Sequence, residues 1–171
     1  MDMGNIILIG MPASGKSTVG VILAKLLGYD FIDTDLVIQR REGCRLSEII
    51  ARRGIDAFLT AEEAACLSVS AEHCVIATGG SVVYSSKAMK HLGSLGCIAY
   101  LSVDYATLLL RLGDIQNRGV VLRPGQTLSE LYAERVKLCR EYADITISEN
   151  DQTLEETVQA VMRAYEGWAA R

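Results

Sequence analysis

Residues 8–20 read LIGMPASGKSTVG, and the fixed positions within them, Gly10-x-x-x-x-Gly15-Lys16-Ser17, leave the chain few ways to fold. The preceding run, Asn5-Ile6-Ile7-Leu8-Ile9, is short, apolar and β-branched, as a strand buried on both faces requires. After it, Val19, Ile22, Leu23, Leu26 and Leu27 recur at helical spacing until Gly28 stops the pattern. A strand that turns through Gly10, Ala13, Ser14 and Gly15 into a helix presents successive backbone N–H groups to one point. The helix opening adds unpaired donors and its positive dipole end, which together favour an anion. At this spacing Lys16 meets the outer phosphates of a nucleotide and the Ser17 hydroxyl holds Mg2+, with Thr18 next to it. An ordinary strand-turn-helix corner would need neither the lysine nor the serine at those positions.

Bulk properties narrow the partners. With 171 residues, half of them hydrophobic, the chain suits one domain with a substantial core. A net charge of -4 argues against a general nucleic-acid or membrane-surface binder, so an anion has to be met by local cations. The five cysteines form no C-x-x-C pair, and His73 and His91 have no metal-ligand spacing, which fits a reducing cytoplasm and packed or surface histidines. Neither an export signal nor a run long enough to span a membrane is expected.

Apolar, β-rich runs recur at 5–10, 29–33, 74–78, 97–102 and 145–148, separated by segments of helical period. Such alternation predicts an α/β fold with a parallel sheet covered on both faces. Thr153 and Glu156 make a capping box for a last helix whose stripe is Leu154, Val158, Val161, Met162 and Tyr165. Two segments exceed a simple crossover. Residues 36–73 have room for two or three helices, an inserted arm, and residues 113–125 hold glycines, a proline, Arg118 and Arg123, the composition of a lid.

Ligands of open α/β sheets lie beyond the carboxyl ends of the strands. There the second strand places Asp33 and Asp35, one able to approach the magnesium shell and the other the acceptor, although both could equally cap the next helix. The third strand ends Thr78-Gly79-Gly80-Ser81, where bare backbone N–H donors can meet a substrate; a plain turn explains the glycine pair too. Arg118, Arg123, Arg135 and Arg140 supply cations suited to phosphoryl transfer, the last two being also compatible with a solvated helix face.

Taken together, this phosphate loop, the Asp33-Thr34-Asp35 triplet, the glycine pair and the arginine-bearing loop resemble the shikimate kinase family over about residues 5–164. The resemblance implies a three-layer kinase fold with five parallel strands in the order 2-3-1-4-5, acting as a monomer with ATP and Mg2+ in the cytoplasm, and converting shikimate to shikimate 3-phosphate. It implies, position by position, that Lys16 and Ser17 bind ATP and magnesium, with Asp33 in the outer metal shell. Asp35 orients the acceptor hydroxyl, while Gly79, Gly80, Ser81 and Arg135 bind the acceptor. Arg118 reaches the phosphates from the lid, and Arg111 and Gln152 lie on the adenine side. Two positions depart from the family pattern. Leu59, in Phe58-Leu59-Thr60-Ala61-Glu62, stands where a carboxylate-binding arginine is expected, and Ser81 stands where a third glycine is expected. No Lys or Arg occurs between Gly54 and Ser86 to replace the missing cation. The alternatives are therefore a kinase for another polyol, hydroxy acid or amino alcohol, and a nucleotide-binding protein without turnover.

Overall fold

The computed structural model describes residues 4–113, 120 and 122–171. Its five strands, β1 (Asn5–Gly10), β2 (Asp30–Asp33), β3 (Cys74–Ala77), β4 (Gly96–Ser102) and β5 (Ile145–Ser148), form one parallel sheet in the order β2-β3-β1-β4-β5. Strand β1 lies in the middle, in register with both neighbours, Leu8 opposite Ala77 on one side and Ala99 on the other. The alternation of a strand sorts its side chains between two cores. Ile6 and Leu8 pack with Val19 and Leu23 of α1 (Lys16–Leu27) and Val158 and Val161 of α7 (Leu154–Ala169). Ile7 and Ile9 face the other way, against Ala88, Met89 and Leu92 of α4 (Ser86–Leu95). Both faces being covered, the central strands have no place for alternating polar residues, which is why they read as unbroken apolar runs.

The ends of these elements explain the small differences from the sequence boundaries. Tyr29 is not yet strand, because its N–H closes the end of α1 on the Ala24 carbonyl, and β2 begins at Asp30. Strand β3 stops at Ala77, and Thr78 instead sends both its N–H and its hydroxyl to the Leu8 carbonyl. Leu154 leaves the apolar stripe expected of the last helix: it is 42% exposed and lines a cleft.

The arm between β2 and β3 is two helices and a break. Helix α2 (Thr34–Glu42) starts directly off β2, and α3 (Leu46–Leu67) is interrupted at Gly54, whose backbone is non-helical. Ile38, Ile49, Phe58 and Ala65 join them in a separate small core. Beyond β4 come α5 (Tyr105–Leu112) and α6 (Leu128–Tyr142), the latter opened by a Thr127–Glu130 capping box. Among the described residues no helix is long and apolar enough to cross a membrane. Cys66, Cys74, Cys97 and Cys139 are buried; burial pushes Cys66 and Cys97 up to about 12 and Cys74 and Cys139 up to about 11. Those four thiols stay protonated and unreactive at neutral pH.

Candidate active site

A cavity of about 700 Å³ opens at the carboxyl ends of β1 and β3. The loop after β1 forms one wall. Gly15 has left-handed backbone (φ 81°) and immediately precedes the first residue of α1, so the loop needs a residue without a Cβ there to turn its N–H groups toward the opening. Ser14 is fully buried behind it. Lys16 is only 7% exposed, and its Nζ donates to the carbonyls of Gly10 at 3.0 Å and Met11 at 2.7 Å and to Ser14 Oγ at 3.4 Å. Burial lowers the Lys16 pKa to about 8, with Asp35 opposing the shift.

Asp33 does two jobs at once. One carboxylate oxygen accepts from the Asp35 N–H and caps α2, while the other accepts from Ser17 Oγ at 2.7 Å. The capping and metal-side readings of this residue are therefore compatible. Ser17 and Asp33 together offer two hard oxygen atoms at the mouth of the phosphate loop, a donor set suited to Mg2+, which takes few protein ligands and keeps its remaining positions for phosphate and water.

The opposite end of the cavity collects Asp35, Glu62, Gly79, Gly80, Ser81 and Arg135. Gly79 and Gly80 are required by space. A Cβ on Gly79 would lie 2.2 Å from Glu62 Oε1 and 3.0 Å from Asp35 Oδ1; one on Gly80 would lie 3.0 Å from an Arg135 nitrogen. The strand-end glycines thus let two carboxylates and a guanidinium close around bare backbone. Arg135 is 2% exposed and is held by Tyr84, whose hydroxyl accepts from Nε at 3.4 Å and whose ring lies 5.3 Å beneath the guanidinium. Among the described residues no carboxylate forms an ion pair with Arg135.

The two carboxylates are kept from ionising easily. Burial raises the Asp35 pKa, helped by Asp33 and opposed by Lys16. Burial likewise raises Glu62 to about 7, against a hydrogen bond from Ser81. Asp35 Oδ1 and Glu62 Oε1 are buried without hydrogen-bond partners among the described residues.

On the phosphate-loop side of the cavity lie Ala13, Thr18, Arg111 and Gln152. Arg111 pairs with Glu149, a residue 4% exposed at the carboxyl end of β5 whose pKa is raised by burial. Arg118 lies outside the described residues. Arg123 also lies over the Tyr84 ring, at 5.3 Å, and pairs with Glu134 at 3.6 Å, and Arg140 is exposed and off the cavity.

Sequence reasoning missed three participants. Glu149 directly follows an apolar strand, a position that could have marked it, whereas Tyr84 carried no local signal. Glu62 was noted only in connection with its neighbour. Leu59 does not face the main cavity: it packs beside Phe58 in the arm and lines a side pocket of about 190 Å³ behind Glu62, Ser81 and Tyr84.

Comparison with known proteins decides the family. The shikimate kinase family model matches residues 12–166. The chain belongs to the shikimate kinase family. It is similar to a shikimate kinase from Thermodesulfovibrio yellowstonii, with 37% identity covering 96% of each chain. Among solved structures, shikimate kinase from Acinetobacter baumannii in complex with shikimate superimposes with a TM-score of 0.88 at 32% identity, covering 96% of this chain and 94% of that one. Shikimate kinase from Aquifex aeolicus gives 0.80 at 30%, covering 97% and 98%. The strand order observed here is the one the family resemblance implied.

Proposed function

We propose that the chain transfers the terminal phosphoryl group of Mg-ATP to a hydroxyl of shikimate. The observation that carries this reading is the meeting, in one cavity, of the phosphate loop with Asp35 and Arg135 across the Gly79–Gly80 backbone. The loop N–H groups and Lys16 bind the phosphates. Ser17 and Asp33 would hold Mg2+, which when bound would supply positive charge against that developing on the transferred group. Asp35 Oδ1, lacking a partner, takes a hydrogen bond from the acceptor hydroxyl and orients it. Arg135 binds the acceptor carboxylate, with Gly79, Gly80 and Ser81 around it, and Arg111 and Gln152 flank the adenine side. The lid role of Arg118 extends the same reading to a residue outside those described.

A second reading, a kinase for a different hydroxy or amino acid, is favoured by one observation: the buried carboxyl of Glu62 stands at the acceptor end, and among the described residues no arginine of the arm lines the cavity beside it. Measuring ADP release across shikimate and a panel of hydroxy acids, polyols and amino alcohols separates the two. The expected result is turnover on shikimate; turnover confined to another acceptor would replace it.

Nucleotide binding is tested separately. Mg-ATP is expected to raise the melting temperature, since a ligand selective for the folded state stabilises it by mass action. Lys16→Ala should remove most of that rise. An unchanged response in the variant would detach the loop from ATP binding.

A further inference from the structure

The acceptor end holds a carboxylic acid where a site for a carboxylate-bearing substrate needs another donor. Glu62 is 2% exposed, and its position is fixed because Oε2 accepts from Ser81 Oγ at 2.6 Å. Its other oxygen, Oε1, is buried without a partner among the described residues and lies beside Gly79, and Glu62 is one of the residues that line the main cavity. Arg135 lines this cavity beside Gly80, and residues 54–86 contain no Lys or Arg. An ionised Glu62 would repel an acceptor carboxylate brought to Arg135; a neutral one carries an O–H and can hydrogen-bond it.

We propose that Glu62, oriented by Ser81, is an acceptor-binding residue that in its neutral form donates a hydrogen bond to the acceptor's carboxylate, beside the guanidinium of Arg135. This rests on the reading of shikimate as acceptor. Solvent supplies the proton, and it is held because ionisation would place a charge in a buried site. The groups facing Glu62 are Ser81 from the loop after β3, Asp35 from α2, Lys16 from α1 and Arg135 from α6, with Cys66 further along its own helix. Tyr84 and Glu63 border the side pocket behind it. Burial and Asp35 favour the proton, while Ser81, Arg135 and Lys16 oppose it, and the balance leaves Glu62 near 7. A bound carboxylate adds one more negative charge and shifts the balance further toward the neutral acid.

The test is the acceptor Michaelis constant, measured by ADP release at saturating Mg-ATP between pH 6 and 9. The wild type is expected to show a KM that rises about tenfold per pH unit once Glu62 ionises. Glu62→Gln, an amide that donates at every pH, should keep KM low and flatten that rise, leaving Asp35 and Lys16 to act equally in both proteins. Ser81→Gly removes the hydroxyl that stabilises the ionised form, so the break should move to higher pH. A wild-type KM that does not change with pH, parallel profiles in wild type and Glu62→Gln, or a break unmoved by Ser81→Gly would each overturn the proposal while shikimate remains the acceptor. A KM that falls as pH rises would also overturn the proposal, since the ionised carboxylate, accepting from an acceptor hydroxyl, would then be the binding form. Absence of shikimate turnover at every pH, with the ATP-dependent rise in melting temperature intact, overturns the acceptor reading and the proposal with it.

Discussion

Asp35→Asn is expected to lower turnover by about 10²-fold or more, the scale on which a positioned acid-base group acts. Asparagine keeps the size and one carbonyl oxygen, so the fold of α2 and the Asp33 cap should survive; what disappears is the negative charge that orients and draws on the acceptor hydroxyl. Because the residue acts on the reacting atom, the loss should fall on kcat and on kcat/KM alike, with Mg-ATP binding nearly unchanged. The pH profile of the wild type carries the same signature. Burial first, and Asp33 second, hold the Asp35 pKa above the ordinary carboxylate value, with Lys16 pulling the other way. Activity requires the ionised form, so turnover should fall as pH drops through the raised pKa, at a higher pH than an exposed aspartate would give. In Asp35→Asn this acid-side limb should vanish. Wild-type turnover in the variant would remove Asp35 from the chemistry.

Arg135→Ala should act on the acceptor rather than the nucleotide. The side chain is buried, its guanidinium is held over Tyr84, and Nη1 lies beside Gly80 in the cavity lining. Removing one partner of a buried, hydrogen-bonded charge pair costs about 2–5 kcal/mol. At about 1.4 kcal/mol per factor of ten, the acceptor KM should rise by about 30- to 3000-fold. Arg135→Lys keeps a charge but loses the planar fork and the stack, so it should fall between the two. The melting temperature in the presence of Mg-ATP reports folding and nucleotide binding independently. A variant that is folded, binds ATP and keeps the wild-type KM would show that the carboxylate is held elsewhere.

The layers of this protein and its phosphate-loop motif are legible in the sequence alone. Its apolar runs are long enough and uniform enough to be strands only if both faces are buried, and the helical stripes between them supply the cover. The phosphate loop is legible because all its function lies within eight consecutive residues, where backbone geometry and side-chain identity are set locally. Boundaries shifted by a residue or so where a carbonyl had another partner, as Ala24 does with Tyr29. The acceptor half was decided by tertiary structure. Asp35, Glu62, Ser81 and Arg135 come from four separate segments, and whether a carboxyl among them is ionised depends on burial and on neighbours distant in the chain. From sequence, Leu59 read as a cation missing from the substrate site. In the fold Leu59 packs on the arm's own small core and lines a side pocket together with Glu62 and Ser81, while Glu62 and Ser81 also line the main cavity, because side-chain direction along α3 is set by how the helix packs.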